Sequence, residues 1–375
     1  MQTSENVTDY EKIKYLSFGS PLMDAIADVS DDFLIKYKID LNTSVHRKLK
    51  DVPFYNDFIK NENITYVPGG CQFNAMRVFN WMLSSYDYKD LVGFLGSVGD
   101  DDFGSKYETL LSEEGIVPLF DFIQGKNTGT CLVLCNNRDR AHITDLAAST
   151  EISNEYINRI FKSLKNVELI YTELFIIRSQ EKLLLRLANL GSENGKLFGF
   201  NIPSIDFINN YYDKIFEMIK CADFIFANKD EAYALCEKSG NSINERTIVD
   251  VIKSLVSMQK KNKKKNRVFV ITDGPDPAYC CEFNFELNKI TYLNKSYVKH
   301  VDKEKIVDTN GAGDSFAGGF LSQYVKQVKS GGKVNYDICM KAGHWAAALI
   351  IQRRGCQLPR KADEDKQFKI TDLDT

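Results

Sequence analysis

The sequence predicts an α/β protein with a doubly wound, mostly parallel sheet that has helices on both faces, plus a small β-rich lid. Two observations lead to this fold class. Short apolar runs alternate with segments whose apolar residues recur at helical spacing, and several runs are apolar on consecutive positions, as in strands covered on both faces. Strand and helix repeated in this order favour parallel pairing with right-handed crossovers.

Seven apolar runs are predicted to be strands. They lie at residues 13–19, 91–99, 130–135, 168–172, 196–201, 223–228 and 267–272. Helices are predicted at 182–190, 215–220 and 247–258, where apolar residues recur every three or four positions. Two stretches, 22–68 and 116–149, fit the alternation poorly, which favours a second, smaller lobe that closes over a site.

These patterns divide the chain into a large α/β domain, a lid and a tail. The large domain comprises residues 1–20, 70–115 and 150–360, the lid residues 21–69 and 116–149, and the tail residues 361–375. The chain has 375 residues, of which 43% are hydrophobic and 26% charged, so it can bury a sizeable core.

Charge and cysteine content exclude several classes of protein. With 48 Lys and Arg against 51 Asp and Glu, the net charge of −3 provides no basic field for nucleic acid or for a membrane surface. The nine cysteines show no Cys-x-x-Cys spacing, so neither a disulfide framework nor a zinc knuckle is indicated. We expect a monomeric cytoplasmic protein, with nuclear presence left open. The basic run at 260–267 is interpreted as a solvated loop.

The strongest chemical signal is a glycine-rich turn at 308–313, between a predicted short strand that ends at Val307 and a predicted helix. Glycines let backbone N–H groups converge, and the positive end of the helix dipole adds to them, so the turn is suited to bind an anion. Asp314, at the helix start, is either a helix cap or a base beside a bound phosphate. The turn lacks P-loop spacing, and Phe316 stands where a dinucleotide-binding fingerprint has its third glycine.

Five motifs resemble signatures of the ribokinase-like family of carbohydrate and nucleoside kinases. They are PGGCQFN at 68–74, GSVGDDDFG at 96–104, NKDE at 228–231, TDG at 272–274 and DTNGAGDSFAGGF at 308–320. Their order and spacing extend the resemblance over roughly residues 13–360. The resemblance implies an α/β domain with a small lid, in agreement with the fold predicted above.

The resemblance also implies a kinase that transfers the γ-phosphate of ATP to a hydroxyl group. Asp314 is then the base that aligns and deprotonates the acceptor hydroxyl. Backbone groups of Asn310, Gly311, Ala312 and Gly313 would stabilise charge that develops on the transferred phosphoryl group. In such a loose transition state, positioning and charge stabilisation supply most of the catalysis.

An acceptor site follows from the same resemblance. Asp24 is expected to accept hydrogen bonds from ribose hydroxyls, Gly70 and Asn74 to complete the ribose contacts, and Phe175 to stack on the base. Arg140 is expected to meet phosphate from the lid, because its planar fork suits phosphate oxygens. The expected partners are therefore a small-molecule nucleoside and ATP.

The resemblance is weaker around the base. Ser20 stands at a usual Asn, His46 and His142 at usually apolar positions, and Glu173 at a usual Gly. Two imidazoles change the hydrogen bonding around the base. Adenosine is the first candidate acceptor, another nucleoside or a sugar is the alternative, and a catalytically inactive nucleoside-binding protein is a third hypothesis.

On the nucleotide side, the resemblance implies that Asn228 and Glu231 act on Mg²⁺ through water, while the same pair also fits a helix-capping box. The residues expected to contact ATP are Asn228, Thr272, Gly274, Gly311, Gly313 and His344. ATP and Mg²⁺ are thus the expected cofactors, and a requirement for a monovalent cation such as K⁺ is left open.

Overall fold

A computed structural model describes residues 10, 12–41, 43–84, 90–137, 139–193, 195–240, 247–298 and 300–359. The predicted tail at 361–375 lies outside these residues. The strands are β1 (Ile13–Phe18), β2 (Leu22–Asp28), β3 (Thr43–His46), β4 (Thr65–Gly69), β5 (Leu91–Gly99), β6 (Ile116–Ile123), β7 (Thr130–Asn136), β8 (Asp139–Asp145), β9 (Leu169–Glu173), β10 (Leu197–Asn201), β11 (Phe224–Asn228), β12 (Arg267–Asp273), β13 (Asp276–Asn284) and β14 (Lys289–Ser296).

Helices fill most of the connections between these strands. They are α1 (Asp31–Tyr37), α2 (Tyr55–Phe58), α3 (Cys71–Ser84), α4 (Asp102–Glu113), α5 (Asn154–Ser163), α6 (Ile177–Gly191), α7 (Ile205–Cys221), α8 (Lys229–Lys238), α9 (Ile248–Val256), α10 (Ala312–Lys329) and α11 (Tyr336–Ile350). None of the described helices is long and apolar enough to cross a membrane.

A nine-stranded sheet forms the large domain, in the order β14-β13-β12-β11-β10-β9-β1-β5-β6. All neighbours pair in parallel except β12 with β13 and β13 with β14. Successive side chains of a strand point to opposite faces. In β9, Ile170 therefore packs in the core formed with α5 to α9, whereas Leu169 and Tyr171 pack in the core formed with α3, α10 and α11. The predicted mostly parallel sheet with helices on both faces is confirmed.

A separate five-stranded sheet, in the order β3-β8-β7-β2-β4, forms the lid. One face buries Ala27 and Leu134 against Phe54 and Phe58 of the segment that precedes β4. The opposite face presents Ile26 and its neighbours to a cavity between the lid and the large domain. The lid is therefore a covered sheet whose free face forms a wall of the cavity.

Two local predictions are wrong. Residues 116–123, assigned from sequence to the lid, form the edge strand β6 of the large sheet, parallel to β5, because Leu119 and Phe120 pack into the cores on its two faces. The strand predicted to end at Val307 does not form. Instead, Lys303–Lys305 is a 3₁₀ turn, and the N–H groups of Val307 and Asp308 donate to the carbonyl of Ile351 at 2.8 and 3.0 Å.

The basic run at 260–267 is only partly solvated, contrary to its interpretation as a loop exposed to solvent. Lys260 is 2% exposed and lies 2.8 Å from Asp223, which also pairs with Lys265. Arg267 is fully buried, and its guanidinium donates to five backbone carbonyls at 2.5–3.4 Å around the ends of α7 and α9. Helix ends leave carbonyls without partners, and this cation satisfies them.

Candidate active site

Polar residues collect where the parallel strands end. Glu173 ends β9 and lies opposite Asn201, which ends β10. Asn228 ends β11 and lies opposite Thr272 of β12. Because parallel strands end at a common edge of the sheet, this edge is where ligands bind in open α/β folds. The glycine-rich turn lies along the same edge.

The glycine-rich turn is fixed by the buried carboxylate of Asp308. Its Oδ1 accepts the N–H of Asn310 at 2.7 Å, and its Oδ2 accepts the N–H of Gly355 at 2.8 Å. Gly311 follows with φ of 73°, a left-handed conformation that favours glycine, and serves as the N-cap of α10. The first N–H groups of α10 therefore face the site without intrahelical acceptors, as an anion-binding turn requires.

Asp314 does not cap α10, which removes the purely structural alternative for this residue. The helix has no side-chain cap at its N-terminus. The two carboxylate oxygens of Asp314 instead accept hydrogen bonds from Asn74 and Asn201, each at 3.4 Å. Burial raises the pKa of Asp314 to about 7, while these two hydrogen bonds act in the opposite direction. At neutral pH the carboxyl group is thus poised to accept a proton.

Two cavities meet at Asp314. The larger, of about 450 Å³, lies between the lid and the large domain. The smaller, of about 260 Å³, lies along the ends of β10, β11 and β12. Cys71, Glu173, Phe175 and Asp314 line both. A group in one cavity can therefore approach a group in the other beside the Asp314 carboxylate.

The larger cavity brings together most of the predicted acceptor residues. Those that line it are Ser20, Asp24, His46, Gly70, Asn74, His142 and Phe175, with Asn310, Gly311 and Asp314 from the turn and its helix. These residues come from three strands of the lid sheet, from α3 and α10 and from loops that join the elements, so only the folded chain assembles them. Arg140 is the predicted acceptor residue that is not part of this lining.

Asp24 lies on β2 at the wall formed by β4. A Cβ at Gly69, the last residue of β4, would lie 2.3 Å from the Asp24 carboxylate, so glycine is needed for this close approach. Gly70 follows with φ of 107°, and its own Cβ would meet the carbonyl of Ser20 at 2.9 Å. Burial raises the pKa of Asp24 to about 7, and the nearby charge of Arg77 partly offsets this effect.

The lid contacts the glycine-rich turn through two residues of β8. Arg140 forms an ion pair with Asp308, and the side chains are 11% and 3% exposed. His142 Nε2 lies 3.0 Å from Nδ2 of Asn310. Burial lowers the pKa of His142 and of His46, so both imidazoles are neutral at physiological pH. The lid is thus closed over the turn, with Arg140 held by a carboxylate.

Glu173 is a buried carboxyl group in the middle of the site. It is 7% exposed, and its Oε1 accepts the N–H of Ser20 at 3.1 Å. Burial raises its pKa to about 7, and the charge of Asp314 acts in the same direction. The sequence singled out Glu173 as a departure from the family pattern without assigning it a role.

The smaller cavity is lined by Asn228, Glu231, Thr272 and Gly313 among the predicted nucleotide residues. Asn228 and Glu231 form a capping box: Asn228 Oδ1 accepts the N–H of Glu231 at 2.8 Å, and Glu231 Oε2 accepts the N–H of Asn228 at 2.9 Å. The capping alternative is therefore observed. The box uses one carboxylate oxygen of Glu231, a residue that lines the smaller cavity, and burial raises the pKa of this group to about 7.

Asn228 and Glu231 fit Mg²⁺ only if other ligands complete its coordination sphere. Among the residues that the structure describes, no group of three or more His, Cys, Asp or Glu side chains is arranged to hold a metal ion. Mg²⁺ is commonly held by one or two carboxylates together with substrate phosphates and water. Glu231, with Asn228 beside it, matches that pattern.

The other predicted ATP contacts divide into two groups. Thr272 lies in the smaller cavity, and Gly274 lies just beyond it in the turn between β12 and β13, with φ of 54°. His344 is buried inside α11, with Nε2 3.2 Å from the carbonyl of Ser296 and its ring packed edge-on against Phe316. His344 is not among the residues that line either of the two cavities.

Two residues of the site were not predicted from the sequence. Asn201 holds Asp314 and is itself oriented by the hydroxyl of Tyr171, which donates to Asn201 Oδ1 at 2.8 Å. Arg178 lines the larger cavity near the start of α6. Asn201 has one sequence signal, a polar residue that directly ends an apolar run, whereas Arg178 has none.

The fold, with two adjoining cavities at the edge of its sheet, is that of a small-molecule kinase. Residues 35–363 match the family model described as pfkB family carbohydrate kinase, and the chain belongs to this family.

Similar proteins specify the kind of kinase. The chain is 31% identical to adenosine kinase from Dictyostelium discoideum over 92% of its length and 97% of that protein. It is 29% identical to adenosine kinase 2 from Arabidopsis thaliana, with 93% and 96% covered. Among solved structures, it resembles Anopheles gambiae adenosine kinase in complex with P1,P4-di(adenosine-5) tetraphosphate (TM-score 0.77, 29% identity, 91% and 96% covered). It also resembles Schistosoma mansoni adenosine kinase in complex with 2-fluoroadenosine (TM-score 0.80, 25% identity, 93% and 98% covered).

Proposed function

We propose that this protein is an adenosine kinase, which transfers the γ-phosphate of ATP to the 5′-hydroxyl of adenosine and yields AMP and ADP. The observation that carries the proposal is the position of Asp314 at the junction of the two cavities. The larger cavity, at about 450 Å³, is of the size that small-molecule sites have and takes the nucleoside. The smaller cavity takes the phosphate chain of ATP.

Asp314 acts as the base for the acceptor hydroxyl. Hydrogen bonds from Asn74 and Asn201 orient its carboxylate, and its raised pKa makes it a better proton acceptor than an exposed aspartate. The hydroxyl loses its proton to Asp314 as the oxygen bonds to the γ-phosphorus and the bond to the β-phosphate oxygen breaks. At the other end of the nucleoside, Asp24 accepts hydrogen bonds from the ribose hydroxyls.

The glycine-rich turn supplies the positive potential for the transferred group. N–H groups at the start of α10 point toward developing negative charge, and a donor of this kind is typically worth about 10²–10³ in rate. When bound, Mg²⁺ neutralises charge on the phosphates, and Glu231 with Asn228 would hold it through water. The lid, held to the turn by Arg140 and His142, excludes water from the γ-phosphate.

The test is ADP release coupled to a spectrophotometric signal, with adenosine, other nucleosides, ribose or no acceptor. Adenosine should give the highest acceptor-dependent rate. Asp314→Asn keeps the shape of the side chain and should lower kcat by orders of magnitude, while adenosine binding measured by calorimetry changes little. Acceptor-independent or absent ADP release would contradict the proposed function, and near-wild-type turnover of Asp314→Asn would contradict the assignment of the base.

A further inference from the structure

The larger cavity is lined by a cationic side chain that the proposed reaction does not use. Arg178 lines this cavity and also a neighbouring surface groove of about 380 Å³. Its guanidinium lies over the ring of Phe207, 4.9 Å from the centroid, and 5.8 Å from that of Tyr211. Those two rings are stacked on each other with centroids 4.5 Å apart. Arg178 thus has an aromatic platform that holds it at the cavity rim.

The N–H donors of this guanidinium are unused. Within the described part of the chain, no carboxylate, carbonyl or hydroxyl accepts a hydrogen bond from the Arg178 side chain, and its backbone N–H donates to the carbonyl of Phe175 at 3.4 Å. Cation–π contact engages the face of a guanidinium and leaves the N–H edge available. The side chain is exposed, so a ligand in the cavity can reach this edge.

Arg178 lies close to Phe175, the residue expected to stack on the base of a bound nucleoside. Asp24 and Asp314 define the sugar end, because one takes the ribose hydroxyls and the other takes the 5′-hydroxyl. The base projects from the opposite side of the sugar, toward Phe175, whose ring packs edge-on against Phe207 with centroids 5.2 Å apart. Arg178 extends over that same Phe207 ring, so a base stacked on Phe175 would come within reach of its N–H edge.

Purine bases differ in the hydrogen-bonding groups that they present to the N–H edge of an arginine. A 6-oxopurine offers two adjacent acceptors, O6 and N7, which match the fork of an arginine, whereas adenine offers the N7 acceptor beside the N6 amino donor. We propose that Arg178 binds the O6 and N7 edge of the base and gives this enzyme a second activity, the phosphorylation of 6-oxopurine nucleosides such as inosine. The inference rests on the proposed function, because it concerns the base of the same acceptor.

His46 on the lid lines the same cavity as Arg178 and supports this assignment. Burial lowers the pKa of His46, and the charge of Arg178 acts in the same direction, so the imidazole stays neutral. A neutral imidazole has one donor and one acceptor, so it adds a hydrogen bond without a second positive charge. Through His46, the lid thus offers a bound base a neutral polar contact in addition to the cationic one from Arg178.

The experiment compares kcat/KM for inosine and for adenosine in wild type and in Arg178→Gln and Arg178→Lys. The ratio of inosine to adenosine should fall about tenfold in Arg178→Gln, since a bidentate pair of this type is worth about that much discrimination. Arg178→Lys keeps the charge but not the fork and should also lower the ratio. Arg186→Gln is the matched control: Arg186 lines the neighbouring groove but not the cavity, and its guanidinium lies over Phe161.

Each outcome decides a different point. Inosine turnover by wild type with a lowered ratio in both Arg178 variants, and an unchanged ratio in Arg186→Gln, supports the inference. Turnover of adenosine but not of inosine by wild type overturns it and leaves the proposed function intact. An unchanged ratio in Arg178→Gln, at an unfolding midpoint equal to that of the control, also overturns it. Turnover of neither nucleoside overturns the proposed function itself.

Discussion

Arg140, on strand β8 of the lid, forms an ion pair with Asp308, the first residue of the glycine-rich turn in the large domain. Both side chains are buried. The same carboxylate accepts the backbone N–H groups of Asn310 and Gly355. One side chain therefore fixes the conformation of the turn and holds the lid to it, which links the position of the lid to the conformation of the turn.

The first prediction concerns this pair. Asp308→Ala leaves the buried guanidinium of Arg140 and two backbone N–H groups without partners, so we expect a loss of about 3–5 kcal/mol in the free energy of unfolding. The double variant Arg140→Ala/Asp308→Ala should be less destabilised than the sum of the single variants, because it leaves no unpaired cation. Urea denaturation of the four proteins measures this coupling.

The exposed pair Lys214 and Glu181, at 2.5 Å, provides the control cycle. Its coupling should be below about 1 kcal/mol, because both side chains are solvated. Additive effects of the two substitutions at Arg140 and Asp308 would contradict the role given to the buried pair.

The second prediction concerns pH. A base must be deprotonated to act, and burial raises the pKa of Asp314 to about 7. At saturating Mg-ATP, kcat/KM for adenosine should therefore rise with pH, reach half its maximum near pH 7 and level off above about pH 8, instead of being constant above about pH 5 as for a carboxyl group near its ordinary pKa of about 4. Burial also raises the pKa of Asp24 to about 7, and this group must be ionised to accept hydrogen bonds from both ribose hydroxyls, so the rise should be steeper than that of a single group. A flat profile between about pH 5 and 9 would refute the prediction.

The third prediction concerns Gly69. A methyl group there would lie 2.3 Å from the carboxylate of Asp24, which must move away from its place in the cavity. Gly69→Ala should raise KM for adenosine at least about tenfold, as the loss of one good hydrogen-bonding partner for the ribose would, and leave KM for ATP nearly unchanged. Gly332→Ala, at a position with open space, is the control. Equal KM for adenosine in both variants would show that Asp24 does not bind the acceptor.

The fourth prediction concerns the fully buried Arg267. Arg267→Met keeps much of the side-chain volume but leaves five backbone carbonyls without their donor, so the free energy of unfolding should fall by about 3–5 kcal/mol. Lys264→Met, in the same basic run but exposed, should change it by less than about 0.5 kcal/mol. Similar stability of the two variants, measured by chemical denaturation, would contradict this account.

Much of the fold was predictable because its signals are local. Apolar runs identified seven segments that are strands in the structure, and short motifs such as those at 68–74, 228–231 and 308–320 pointed to the site. The assignment of β6 failed because a strand at a sheet edge and a lid strand have the same local pattern. Only its parallel pairing with β5 distinguishes them, and that pairing depends on residues distant in the chain.

The candidate site likewise has features that local sequence signals predict and features that depend on residues distant in the chain. Sequence motifs alone predicted the glycine-rich turn and its Asp314, together with the residues around Asp24 and Asn74 that line the larger cavity, because motifs of this kind are set by residue type and spacing. The tertiary structure alone decided that Asp314 is held by Asn74 and Asn201, 240 and 113 residues away, and does not cap its own helix. It also decided which of the charged residues in the basic run are buried. Burial and long-range hydrogen bonds depend on what the rest of the chain places around a residue, and they set the pKa that gives Asp314 its proposed chemistry.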